Sequence, residues 1–245
     1  MGELAAKVAL ITGSTSNIGL AAAETFVREG ATVIVHSRHL GEARAVADRL
    51  GADALEADLA DAAAVAKLFA DIDRRHGRLD VLLNCVARPA RARLLDLTAD
   101  DWAQTLAVNL TGALLCTQHA ASLMRQRGGV ILHVSAASAE RASPGSAAYS
   151  ISKAGLNALV RQAAVELAEH KIRVNAIVSG IVGTPVGSRE MGSRSPDDAA
   201  IPLRRIGRPE EVAEAAAFLA SDRAAYITNA FLAVDGGRMN AALRR

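Results

Sequence analysis

Tyr149 and Lys153 stand four residues apart in "SAAYSISKAG", at the start of a segment with helical periodicity. Both residue types are scarce here. The chain has two tyrosines, and four of its 28 basic residues are lysines. At this spacing the two side chains share one helix face. A phenol titrates near pH ~10, and an ammonium beside it favours the phenolate. Such a pair suits proton exchange with a carbonyl or alcohol oxygen. The same spacing also serves an ordinary helix-face pair with its ring in the core.

A second chemical signal lies near the N-terminus. "VALITGSTSNIGLAAAETF" reads as strand, Gly/Ser turn and helix. Gly13 follows the strand directly, and amides opening the next helix suit a pyrophosphate. Gly19 lets helix and sheet approach closely. Asn17 tolerates a left-handed backbone better than other non-glycine residues. The second strand ends "VIVHSRH", where a site preferring NAD usually carries an acidic residue. Ser37 and Arg38 stand there instead, and a guanidinium can grip a 2′-phosphate bidentately. In an Arg-rich chain, Arg38 also reads as a plain surface residue.

These residues need a scaffold, and the patterning supplies one. Short apolar runs predict strands at 7–12, 32–37, 53–57, 80–84, 129–135, 172–178 and 230–234. Helical patterns fall between them at about 18–29, 41–50, 61–77, 99–127, 147–170 and 209–221. Near-continuous apolar strands alternating with helices predict a parallel, doubly wound α/β sheet. With 245 residues, one domain over 1–245 is expected. The polar stretch "GTPVGSREMGSRSPDDAAIPLRRIGRPEE", about 183–211, is long enough to suggest a substrate lid. Its apolar members Val186, Met191, Ile201 and Leu203 suggest a medium-sized, partly apolar substrate.

Composition excludes several classes. The formal net charge is +2 with mixed signs, and basic runs lack interleaved aromatics, so nucleic-acid binding is not expected. No apolar run approaches the roughly 20 residues that span a bilayer. The run after Lys7 reads as a strand rather than a signal peptide. Cys85 and Cys116 make no disulfide framework and read as buried thiols of a cytoplasmic protein. No metal site is expected.

Taken together, the glycine turn, "YSISK", "RLDVLLN", "VNLTG", "RVNAIVSGIVGTPV" and "FLAVDGG" resemble the short-chain dehydrogenase/reductase family over nearly the whole chain. The resemblance implies a Rossmann-type seven-stranded parallel sheet with helices on both faces. It implies Asp58 near the adenine, Asn109 anchoring a water of the proton relay, and Thr184 near the nicotinamide carboxamide. The NADP(H)-binding set then comprises Gly13, Ser14, Asn17, Ile18, Gly19, Ser37, Arg38, Asp58, Leu59, Asn84, Tyr149, Lys153, Gly180, Val182 and Thr184. Family members are commonly dimers or tetramers, so a homotetramer is expected.

The chain also departs from the family. Asn84-Cys85-Val86-Ala87 replaces Asn-Asn-Ala-Gly, and Ser179 replaces a proline. The family's catalytic serine falls thirteen residues before the tyrosine, where this chain has Ala136. Ser135 is expected on the opposite face. Ser138 returns to the right face if the chain stays extended, and is the expected substitute donor; alternatively it satisfies loop backbone. The expected activity is NADP-dependent hydride transfer between the nicotinamide and a carbonyl or alcohol substrate. The altered motifs leave two others open: acid/base chemistry without hydride transfer, and nucleotide binding without catalysis.

Overall fold

The computed structural model describes residues 2–183 and 201–239. Seven parallel strands form one sheet in the order β3-β2-β1-β4-β5-β6-β7. They are β1 (Val8–Thr12), β2 (Thr32–Ser37), β3 (Asp53–Glu56), β4 (Val81–Asn84), β5 (Gly129–Ala136), β6 (Ile172–Ser179) and β7 (Phe231–Val234). The helices are α1 (Asn17–Arg28), α2 (Leu40–Leu50), α3 (Ala62–His76), α4 (Ala99–Leu106), α5 (Gly112–Met124), α6 (Ala147–Glu166) and α7 (Pro209–Ala220).

Parallel strands need crossovers, and the crossover helices cover both faces. One face packs against α1, α2 and α7 around Phe26, Val35, Leu132 and Ile177. The other packs against α3, α5 and α6 around Leu68, Met124, Ile131 and Val160. That is why β1 and β4 are buried along their whole length and read as unbroken apolar runs.

The strand order reverses between β1 and β4, and such a reversal opens a crevice at the carboxyl ends of the strands. The turn after β1, the segment after β4 and the end of β5 all arrive there.

Two helices differ from expectation. The segment 99–127 is not one helix: α4 and α5 are joined by a π turn, Ala107–Thr111, with Asn109 buried inside it. No Gly or Pro marks a break at 107–111, so periodicity could not reveal it. α6 ends at Glu166 and not near 170, because Ala168–His170 tightens into a 3-10 turn and Lys171 turns left-handed at φ 57°. Most of the expected lid, 184–200 with Val186 and Met191, lies outside the described residues. Ile201 is buried and Leu203 is exposed.

Candidate active site

A cavity of about 1020 Å³ occupies the crevice. Its far end is the turn after β1. Gly13 adopts φ +65°, and a Cβ at Gly19 would stand 2.2 Å from the Gly13 carbonyl oxygen. Only glycine fits there, so the chain keeps a bare backbone cradle. Asn17 takes φ 47°, the left-handed conformation its side chain tolerates. The opening turn of α1 carries no acidic residue, and Ser16 makes no side-chain cap. Its first amides are therefore free to face an anion. By contrast α3 is capped by Asp61, which accepts from the Ala63 and Ala64 amides.

His36 holds this turn against the sheet. Its Nδ1 accepts the Gly13 amide at 3.2 Å, and its Nε2 meets the Ala57 carbonyl at 3.1 Å. The proton therefore sits on Nε2. Burial drives the His36 value down to about 4, so the ring stays neutral. Ser14 completes the brace. Its hydroxyl donates to Ile11 O at 2.8 Å and accepts the His36 amide at 2.8 Å.

The near end holds Tyr149 and Lys153 on α6. The Lys153 ammonium is 5.8 Å from the Tyr149 ring centre and donates to Val134 O at 2.8 Å. Burial lowers Lys153 to about 8. Burial also raises the Tyr149 phenol above its ordinary value. The downward shift expected from the Lys/Tyr spacing is thus absent in the free protein. The ammonium is engaged by Val134, and desolvation of the phenol dominates.

Asn109 lies behind this pair. Its Oδ1 accepts the Arg88 amide at 2.7 Å, and its Nδ2 donates to Arg88 O at 3.1 Å and Ser152 Oγ at 3.0 Å. Ser152 in turn donates to Tyr149 O at 2.7 Å. The π turn brings the Asn109 amide to this position, clamping the segment after β4 to the helix that carries the tyrosine.

Of the residues singled out from sequence, Gly13, Asn17, Ile18, Gly19, Ser37, Arg38, Asp58, Leu59, Tyr149 and Lys153 line this one cavity. Ser14, Asn84, Asn109, Gly180 and Val182 do not form its wall. Asn84 is turned into the core, where its Oδ1 accepts from Thr12 Oγ1 at 2.6 Å. Gly180 donates its amide to Val234 O at 3.0 Å, tying β6 to β7. Val182 pairs with Gly207 just beyond the sheet. Thr184 falls outside the described residues.

Ser135 points to the opposite face, as alternation requires, and donates to Asn157 Oδ1 on α6 at 2.6 Å. Ser138 does neither of the things expected of it. Residues Ala137–Ala139 coil into a 3-10 turn, so the extended path past Ala136 does not exist. Ser138 lines a neighbouring cavity of about 800 Å³ beside Leu95 and Ile151. Its buried hydroxyl finds no hydrogen-bond partner, backbone or otherwise, among the described residues.

Among the other wall residues, the sequence did not single out His36 or Glu42, and it marked Ser179 only as a departure from the family's proline. A lone histidine in an apolar strand was the available signal for His36. Glu42 and Ser179 needed the register and the helix start.

Comparison with known proteins agrees with this architecture. A family model described as "Enoyl-(Acyl carrier protein) reductase" matches residues 13–239. A cis-4-hydroxycyclohexanecarboxylate dehydrogenase of Sinomonas cyclohexanicum is 40% identical, over 97% of this chain and 98% of that protein. A 3-oxoacyl-[acyl-carrier-protein] reductase of Thermotoga maritima is 36% identical, over 96% of this chain and 98% of that one. The structure of a gluconate 5-dehydrogenase from Burkholderia cenocepacia, in complex with NADP and tartrate, superposes with a TM-score of 0.92 at 29% identity, covering 98% of this chain and 97% of that one. The chain belongs to the short-chain dehydrogenase/reductase family, whose members use a nicotinamide cofactor, and it is an oxidoreductase. No helix among the described residues is long and apolar enough to cross a membrane.

Proposed function

We propose that the chain is an NADP(H)-dependent oxidoreductase of the ketoreductase or alcohol-dehydrogenase type. In this reading it is one catalytic domain over 1–245, a cytoplasmic homotetramer acting on a carbonyl or alcohol. The observation that carries it is one cavity in which a bare glycine cradle, Arg38 and the Tyr149/Lys153 pair succeed one another. The uncapped α1 amides suit the cofactor's pyrophosphate, and the absent Cβ at Gly19 leaves room for the turn that presents them. Arg38 suits a 2′-phosphate, and Asp58 and Leu59 would lie near the adenine. Gly180, Val182 and Thr184 serve the nicotinamide end. Ser14 and Asn84 support the backbone.

When bound, the nicotinamide supplies or accepts a hydride at the substrate carbon. In reduction Tyr149 gives its phenolic proton to the substrate oxygen, and in oxidation it takes that proton back. Lys153 would hold the cofactor ribose, and it keeps positive charge near the phenol. Asn109 holds the Tyr149 helix against Arg88 and anchors the water that links Lys153 to solvent.

The absent hydroxyl at Ala136 favours a second reading, in which the same pair performs acid/base chemistry without hydride transfer. Fluorescence titration with NADPH and NADH, followed by turnover of 4-oxocyclohexanecarboxylate and ethyl acetoacetate, separates the two. NADPH binding with reduction of either ketone is the expected result. No binding removes the redox reading, and binding without turnover of either ketone advances the second.

A further inference from the structure

A substrate oxygen that gains negative charge during reduction needs more than one preorganised donor; removing one such donor typically costs about 10²–10³ in rate. Tyr149 is one. Ala136, at the end of β5, offers none. The register of the sheet shows where a second stands: Ala136 is paired directly with Ser179 at the end of β6. Paired residues of neighbouring parallel strands point to the same face, and the strands lie only about 4.8 Å apart. The Ser179 hydroxyl is therefore displaced by one strand from the place where a hydroxyl on residue 136 would sit. It lines the cavity together with Tyr149, Lys153 and Val134.

Apart from the Arg88 Nε, the remaining donors of the wall are committed or distant. Thr15 and Ser16 belong to the glycine turn. Ser37 donates to Glu42 at 2.8 Å. Gln104 donates to Asp100 at 2.6 Å, and the Arg88 Nη2 donates to Asp101 at 2.8 Å. The Cys85 thiol is pushed up to about 12 by burial and is a weak donor. Ser179 is different. Its hydroxyl makes one long contact, to Ser135 O at 3.4 Å, beyond the usual O–H···O range. It can turn into the cavity at little cost.

The geometry points to Ser179 as a catalytic residue: its Oγ–H donates the second hydrogen bond to the substrate oxygen, beside Tyr149. The donor has moved from β5 to β6. A serine replaces the family's usual proline on β6 while an alanine replaces its usual serine on β5, and the two exchanges face each other across the sheet. Ser179 keeps its proton throughout; the proton that reaches the oxygen comes from Tyr149. This inference rests on the redox reading above. Arg88, whose Nε is buried without a partner among the described residues, is the competing donor.

The test uses Ser179→Ala, Ala136→Ser/Ser179→Ala and Arg88→Gln, with NADPH and the two ketones named above. Ser179→Ala is expected to lower kcat by about 10²-fold with KM changed far less, and Ala136→Ser in that background to restore at least about tenfold. A second readout is calorimetric. In the complex with NADP⁺, trifluoroethanol, an unreactive alcohol that binds as an alkoxide-like acceptor, is expected to bind about tenfold more weakly to Ser179→Ala, while NADP⁺ affinity and the melting temperature hold. Wild-type kinetics in Ser179→Ala overturn the proposal, as does a loss confined to Arg88→Gln. Equal loss of NADP⁺ affinity and stability makes Ser179 structural and also overturns it. If the wild-type protein binds neither NADPH nor NADH, the redox reading falls first and takes this inference with it.

Discussion

The Ser37 hydroxyl donates to a Glu42 carboxylate oxygen at 2.8 Å, and both residues share the cavity wall with Arg38. Glu42 opens α2, where a carboxylate is favoured by the helix dipole. The sequence places a hydroxyl and a guanidinium at the end of β2; the fold adds a carboxylate to the same wall. Two opposed charges therefore line this end of the cavity, where the proposed cofactor's adenosine ribose would bind.

Cofactor choice follows from that balance. NADPH is expected to bind more tightly than NADH, because Arg38 has no ion pair among the described residues and is available. Arg38→Asp should weaken NADPH by about 10–100-fold, the worth of a charge-assisted bond, and shift preference to NADH. Glu42→Gln should tighten NADPH about threefold or more by removing a repelling charge and freeing the Ser37 hydroxyl. Dissociation constants by fluorescence titration decide it. Equal wild-type affinity for the two cofactors makes Arg38 a surface residue.

The proton-transfer pair sets the pH dependence. Tyr149→Phe should abolish reduction, since no other phenol lines the cavity. Lys153 titrates near 8 in the free protein because it is buried. Below that value the ammonium is charged and keeps the site competent; above it the charge is lost. The kcat/KM for reduction, which reports the free enzyme, should fall as pH rises through about 8. A profile flat to pH ~10, the ordinary lysine value, would show that Lys153 does not govern the step.

Much of this was legible in one dimension. Strands buried on both faces cannot hide, because "VALIT" and "VLLN" must be apolar at every position. Tyr149 and Lys153 were legible because helical spacing alone puts them on one face. What escaped depends on register or on a local irregularity. Ser179 gains meaning only when paired with Ala136 across two strands whose sequences are 43 positions apart, the difference of their numbers. Ser138 leaves the extended path because three residues coil after Ala136. The π turn at Asn109 breaks the helical period without any sequence marker.

Assembly is a further expectation. Leu114 on α5 is 39% exposed, and Ile151 and Val165 on α6 are 48% and 71% exposed. Large apolar side chains along two adjoining helices are costly to leave in water. A homo-oligomer, expected to be a tetramer, hides them. Light scattering at micromolar concentration should give a mass above that of the monomer, and Val165→Glu should reduce it. A monomeric wild type rules the expectation out.

The last prediction concerns His133, buried at the centre of β5. Its Nδ1 faces Asn84 Nδ2 at 3.4 Å and its Nε2 faces Thr117 Oγ1 at 3.1 Å. Thr117 donates onward to Ala113 O at 2.7 Å, so it accepts from His133 and the ring proton sits on Nε2. Asn84 Oδ1 in turn accepts from Thr12, whose oxygen accepts the Cys85 amide at 3.0 Å. One polar chain of uniform direction thus crosses the sheet from β1 to α5, and a second proton on the ring has nowhere to go. Burial, with the charge of Lys153 adding to it, pushes His133 down to about 3. His36, at about 4, behaves alike. In the unfolded chain both titrate near 6.5. Between those values the unfolded state binds more protons than the folded one, so stability is full above about pH 6.5 and falls on acidification. Each histidine contributes on the order of 3 kcal/mol to that fall by pH ~4. Glu211, held near 2 chiefly by Arg205, acts in the same direction, but its exposure discounts it. His133→Gln should therefore melt lower near neutral pH, having lost a fitted ring, yet lose less on going to pH ~4.5 than the wild type does. Melting temperatures of both proteins across that range measure the difference. Parallel acid limbs would mean that His133 protonation does not drive acid unfolding.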